Sequence, residues 1–264
     1  MAIQTGNIKY RGSFKSIRNY VNLHDPNTYA GEKGGANRDL IMNNPAFART
    51  RENMVEFAGC GKACKAIRKG LNNLLPDQTD KRFTSRLMSL VKVINRHDIE
   101  GEHGRRGIFF TEAHTLIQSL VFNKLNNLAD KWSGLFIVAH PVSKAEATLN
   151  VTDFKLRECD IPQGASHYRL LNHLSAISDY TYSALTRQYE PLSGLDATNA
   201  FKYSEYTPVE TALTIELKAE FPVGTVIGDD CTILECVGIE FYIPNGLNKY
   251  VATVGNSLVM KDVF

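Results

Sequence analysis

Residues 211–221 read TALTIELKAEF. Leu213, Ile215, Leu217, Ala219 and Phe221 alternate with Ala212, Thr214, Glu216, Lys218 and Glu220. Successive side chains of a strand point to opposite faces, so this stretch buries one face and wets the other, as an antiparallel edge of a sandwich does. Residues 232–243 repeat the pattern, with Ile233, Val237, Ile239, Phe241 and Ile243 on one face. Asn245-Gly246 then turns the chain into two further runs, 250–254 and 258–263. Upstream, residues 146–158 and 166–174 also read as strands, and the apolar run LFIVA between Gly134 and His140-Pro141 reads as a central one. Many strands with turn signals at short spacing predict an antiparallel β-sandwich, Ig-like or jelly-roll-like, over residues 133–264.

Before Trp132 the apolar period is 3.6 rather than 2. Asn44-Pro45 supplies a helix cap and a first-turn proline. Phe47, Met54, Phe57, Cys60, Cys64, Ile67, Leu71 and Leu74 then recur at helical spacing as far as Pro76. Gly59 and Gly61 each cost this helix about 1 kcal/mol relative to Ala, which predicts a backbone passing close by. A second helix runs from about Thr79 to Asn95 on Phe83, Leu87, Leu90, Val91 and Ile94, and a third starts near Thr111. Residues 44–132 are therefore a three-helix segment. Ahead of them, residues 1–43 read as a short β-hairpin with Gly12 in its turn, followed by an extended, loop-like arm over 22–43. The whole is an α+β chain.

The 264 residues are 43% hydrophobic and 22% charged, ordinary values for a chain that buries a real core. A net charge of +2 is low for a strong nucleic-acid binder. The charge is uneven: Lys and Arg crowd residues 49–106, while 207–243 carries only Lys218 against several acids. That asymmetry would either align copies head to tail or carry no role. No stretch approaches the ~18 apolar residues of a membrane span, and the first residues lack a leader pattern. A cytoplasmic setting is expected, or a surface or extracellular one reached without a leader. Five scattered cysteines argue against a disulfide framework.

Three constellations invite chemistry. His97, Glu102 and His103, with Asp98 and Glu100, crowd one loop and are candidate metal ligands for a metal-assisted enzyme. Arg49, Arg51, Arg105 and Arg106 are candidate anion or nucleic-acid contacts, with Lys62, Lys65, Arg68 and Lys69 beside them. Gly104 and Gly107 flank the Arg pair and would open backbone N–H groups to an anion. Cys60 and Cys64, at i and i+4, share a helix face but lack the ligand count of a zinc site. No P-loop, dinucleotide fingerprint, serine elbow or metalloprotease helix occurs, so no cofactor is expected.

GNIKYRG at the N-terminus, PAFARTRENMVEFAGC over 45–60, and Gly104-Arg-Arg-Gly107 with LVFN at 120–123 resemble a family of uncharacterised proteins common in Bacteroidota genomes. The resemblance is to FxxTRxNxxEFG-like and RGxR…FN patterns. Ala58 stands beside the expected glycine, and SLVF over 119–122 replaces a Gly-Phe step. It implies a bacterial source and supports the fold, and it supplies no catalytic residues.

The expectation is therefore a structural, self-assembling protein rather than an enzyme, a filament or array subunit whose partners are copies of itself. Its contacts would be Tyr10, Phe14, Ile17, Tyr20 and Tyr29 in the arm, together with sandwich edges, because a short hairpin with open edges invites strand addition.

Overall fold

The computed structural model describes residues 2–22, 25–71, 74–126, 128, 133–245, 250–253 and 255–264. Trp132 and Gly246 lie outside these residues, so neither the change of period at Trp132 nor the Asn245-Gly246 turn is described. The chain is mixed α+β and divides into two compact units, Met1–Arg51 and Glu52–Phe264.

The first unit is an antiparallel sheet of β1 (Ala2–Ile3), β2 (Gly12–Phe14), β3 (Ile17–Asn22) and β4 (Asp25–Glu32), in the order β1-β4-β3-β2. The expected hairpin is present, but its turn is not at Gly12. Phe14 pairs with Ile17, so Lys15 and Ser16 make the turn, with Lys15 at φ 51. Gly12, at φ +107, instead opens β2. The stretch expected as an arm over 22–43 holds β4 and a short helix, α1 (Arg38–Asn43). Its polar composition hides two local devices. Tyr29 pairs with and stacks on Tyr20 across the strands, with ring centroids 5.9 Å apart. Asn37 caps α1, its Oδ1 accepting from Leu40 N at 2.7 Å.

The Asn44-Pro45 signal works as read. Asn44 Oδ1 accepts from Ala46 N at 2.9 Å, and a 3-10 turn over Pro45–Phe47 leads into α2 (Ala48–Gly70). The remaining elements are α3 (Leu75–Gln78), α4 (Phe83–His97), α5 (His114–Gln118), β5 (Ser133–Ala139), β6 (Glu146–Lys155), β7 (His167–Ser178), β8 (Tyr180–Ser183), β9 (Gln188–Pro191), β10 (Thr198–Tyr203), β11 (Thr207–Pro208), β12 (Leu213–Glu220), β13 (Cys231–Pro244), β14 (Tyr250–Ala252) and β15 (Ser257–Val263). Strands β10-β7-β13-β14 form one sheet, with β11 also on β7 and β15 on β13. Strands β12-β6-β5 form a second sheet, and β8-β9 a separate hairpin.

The two larger sheets face each other. Leu149, Val151 and Phe154 of β6 and Leu217 of β12 pack against Tyr168 and Leu170 of β7 and Val237, Ile239 and Phe241 of β13. On its other face the first sheet meets the helices: Cys60, Cys64 and Ile67 of α2 and Leu87 and Val91 of α4 pack with Leu171, Ile177, Leu234 and Cys236. Helices and sandwich, expected as separate segments, thus share the central sheet of a helix–sheet–sheet stack. Each large apolar side chain buried there contributes about 1.5–3 kcal/mol.

β12 is the edge strand its alternation predicts. The LFIVA run is an edge too, not a central strand: among the described residues β5 pairs with β6 alone. Its Phe136 and Val138 face the sandwich core while Ile137 is exposed, so the run is apolar on both faces with only one covered. Met54 and Phe57, expected on the buried stripe of α2, are exposed, and the stripe begins at Cys60.

The two helix glycines differ. A Cβ on Gly59 would sit 2.4 Å from the Tyr189 ring, a side chain rather than a backbone, whereas one on Gly61 would meet only Met88 Cε at 3.8 Å. Gly59→Ala is therefore expected to destabilise by about 1–3 kcal/mol despite its better helix propensity. Gly61→Ala is expected to stabilise by about 0.5–1 kcal/mol. Urea unfolding of the two variants beside the parent checks both signs.

Candidate functional site

The Gly-Arg loop that sequence singled out closes on a carboxylate from its own chain. Glu56, on α2, is fully buried. Its Oε1 accepts from Gly104 N at 2.9 Å and Arg106 Nε at 2.7 Å. Its Oε2 accepts from Arg106 Nη2 at 2.7 Å and Lys92 Nζ at 2.6 Å. Burial by itself would raise the Glu56 pKa; the bonds from Arg106, Lys92 and Gly104 outweigh it and bring the group down to about 2. The Arg106 carbonyl in turn accepts from Asn95 Nδ2 and from the Tyr189 hydroxyl, both at 2.8 Å. Asp98 Oδ2 accepts from Gly107 N at 2.6 Å, and its Oδ1 from Gly101 N at 2.8 Å. The glycines do open backbone N–H groups to anions, and those anions are Glu56 and Asp98.

The other candidate anion contacts are also engaged. Arg51 Nη1 donates to the Ile41 and Asn44 carbonyls at 2.7 and 2.9 Å. Arg105 pairs with Glu102 at 3.3 Å and lies 5.5 Å over the Tyr182 ring. Lys62 donates to Gln188 Oε1 and the Tyr189 carbonyl. Arg49, on the first turn of α2, is exposed and has an interaction partner. His97 is exposed at the end of α4, and His103 Nδ1 lies 3.9 Å from Glu52 Oε2. Among the described residues no group of three or more His, Cys, Asp or Glu side chains is placed to hold a metal ion. Cys60 and Cys64 are buried free thiols pushed up to about 11 and 12, chiefly by burial, so they are not nucleophiles.

Removing the Glu56 carboxylate leaves Arg106 and Lys92 with uncompensated charge. Glu56→Gln is expected to cost about 3–5 kcal/mol in urea unfolding, with faster hydrogen exchange at Gly104.

Sequence reading passed over Glu235. It sits on the inward face of β13 between Ile233 and Val237, where the alternation demands an apolar residue. Both its oxygens are buried and accept no hydrogen bond among the described residues. Burial, then the neighbouring Asp262, push its pKa up to about 8. Asn172, across the β7–β13 ladder, donates to the Ala147 and Leu217 carbonyls of the facing sheet at 3.1 Å each, while its Oδ1 is unpartnered. The folded-state pKa lies above the unfolded carboxyl value of about 4.5, so the folded form holds its proton longer. The stability linked to Glu235 is full below pH ~4.5 and falls by up to about 1.4 kcal/mol per pH unit as pH rises toward ~8. Glu235→Gln is expected to flatten thermal stability across that window; a parent-like slope in the variant would show that another group titrates.

The arm residues fall into two sets. Tyr10, Phe14 and Ile17 line a groove of about 600 Å³ on the first unit, with Ile8, Asn19 and Ala30. Tyr10 and Phe14 are 66% and 70% exposed. Tyr20 and Tyr29 follow Asn19 and precede Ala30 in their strands, so they stack on the opposite face. There the Tyr29 hydroxyl donates to the Asp25 carboxylate and holds it below the usual range. Among the described residues of 2–51, only Thr28 is buried.

Compared with known family models, curated proteins and solved structures, the chain matches none. The motif resemblance to a Bacteroidota family rests on the sequence alone. Among the described residues no helix is long and apolar enough to cross a membrane.

Proposed function

We propose that this chain is a structural subunit that assembles with copies of itself through its N-terminal unit. The observation that carries this reading is the missing core of that unit. Its sheet and helix bury no apolar side chain among the described residues, while Ile3, Ile8, Tyr10, Phe14 and Ile17 stand exposed. A small sheet without a covered apolar face is marginal in water, so a partner surface must supply what the unit lacks.

Charge supports a partner of the same kind. Residues 1–51 carry eight Lys and Arg against three Asp and Glu, and residues 133–264 carry nine against sixteen. Stretches of opposite net charge on one chain favour contact between unlike surfaces of two copies. Open strand edges add to it. β2 ends one side of the first sheet, and β5 is an uncharged edge, whereas β12 is guarded by Glu216, Lys218 and Glu220. A contact between unlike surfaces propagates unless its rotation closes a ring, which gives a filament or array.

Sedimentation velocity from micromolar to near-millimolar protein, with negative-stain microscopy, tests this. Growth of regular particles is expected from the parent chain, and monomers from Tyr10→Asp/Phe14→Asp with its melting unchanged. A parent chain that stays monomeric throughout sinks the proposal.

A further inference from the structure

The apolar groove of the first unit has a basic rim. Arg11 lines it and makes no ion pair among the described residues, and Lys9 and Lys15 stand beside it in sequence. An occupant should therefore be a compact apolar knob with acidic flanks.

The described part of the second unit carries five side chains of that apolar kind at 89% exposure or more: Ile99, Leu125, Val142, Leu185 and Val223. Four have a cation within three residues, namely Arg96, Lys124, Lys144 and Arg187. Val223 does not, and no Lys or Arg occurs from residue 219 to 230. It is fully exposed, and Val226 beside it is 82% exposed. The tip is also rigid. Thr225 N donates to the Pro222 carbonyl at 3.0 Å, Thr225 Oγ1 donates to the same oxygen at 2.7 Å, and Gly224 takes φ +88. Phe221 anchors its base, buried and bonded through its N–H to the Ala145 carbonyl at 2.9 Å. On the far side the exposed Asp229 carboxylate has no partner among the described residues.

We infer that the groove lined by Ile8, Tyr10, Phe14 and Ile17 in one copy receives the Val223–Val226 turn of the next copy, with Arg11 facing the acidic flank at Asp229. This rests on the self-assembly reading and names both of its surfaces. A preordered turn loses little entropy on docking, and two valines entering an aromatic-lined groove remove apolar surface from water on both sides. Because groove and turn are different surfaces of one chain, every docked copy leaves one of each free, and growth continues.

A complementation experiment tests it. Phe14→Asp disables the groove and keeps the turn; Val223→Asp disables the turn and keeps the groove. Both positions are exposed, and unchanged circular dichroism melts confirm folding. Each variant alone should be monomeric, and an equimolar mixture should give a one-to-one dimer that grows no further, by sedimentation velocity. Arg11→Glu should weaken parent self-association by at least about tenfold, and Asp229→Lys added to it should restore most of the loss. If the parent chain assembles and Val223→Asp assembles equally well, or the mixture stays monomeric, the paired surfaces are wrong while self-assembly stands. If the parent chain never assembles, the proposed function itself fails.

Discussion

The antiparallel ladder between β7 and β13 runs from Tyr242 opposite His167 to Cys231 opposite Ser178. Both strands are covered on one side by helices and on the other by the second sheet, and β13 is buried from Cys231 through Ile239. That double burial constrains everything around it, because a polar side chain in the middle of these strands is taken out of water whichever way it points. The unpartnered buried polar atoms concentrate here: Asn172 Oδ1, His173 Nδ1, Ser175 Oγ, Thr232 Oγ1 and both oxygens of Glu235. Burial pushes the two titratable groups among them toward their uncharged forms. Glu235 is moved up, and His173 is moved down to about 4, chiefly by burial. Small residues on neighbouring elements follow from the same tightness. Gly70 of α2 lies where a Cβ would fall 1.9 Å from Ser175 Oγ.

The helices pack on this sheet through a shared apolar core, and the loop after α4 is tied down beside it. Glu56 draws Gly104 and Arg106 onto α2, Asp98 draws Gly101 and Gly107 back onto the end of α4, and Tyr189 crosses from β9 to the Arg106 carbonyl. The same ring occupies the space left by Gly59. Two carboxylates, two cations and one aromatic side chain thus add polar links to the apolar packing in which Tyr180 and Tyr189 meet the helices. The donors of the Gly-Arg pattern are spent on a carboxylate of the same chain, Glu56. Spacing alone does not tell a ligand-binding loop from a self-bound one, because the decisive partner, Glu56, lies 48 residues from Gly104.

What was legible followed local rules. The alternation in 211–221 marks a half-covered edge strand, and Asn44-Pro45 marks a helix entry; both depend on neighbours within a few residues. What was hidden depended on distant ones. The LFIVA run looks central because strands apolar on both faces usually are, yet among the described residues β6 alone flanks it. Met54 and Phe57 keep helical spacing, but the described core begins one turn later at Cys60. β4 is written in Asn, Thr and Gly and is held by backbone pairing and one Tyr–Tyr stack, signals that hydropathy does not register. Glu235 was readable in principle, as the one charged residue on an otherwise apolar strand face.

The two units answer the same problem in opposite ways. The second has more covered surface than it needs for polar groups, and it absorbs an unpaired carboxyl in its core. The first has backbone pairing and caps but no described apolar core, so its sheet order is local and its apolar surface faces outward. A chain does not gain stability from exposed Tyr10 and Phe14 by itself; it gains it when that surface is covered. Both side chains are about two-thirds exposed, so polar replacements there would cost the unit little. Their place beside a basic rim, on a chain whose residues 133–264 are net acidic, is the feature on which the assembly proposal rests.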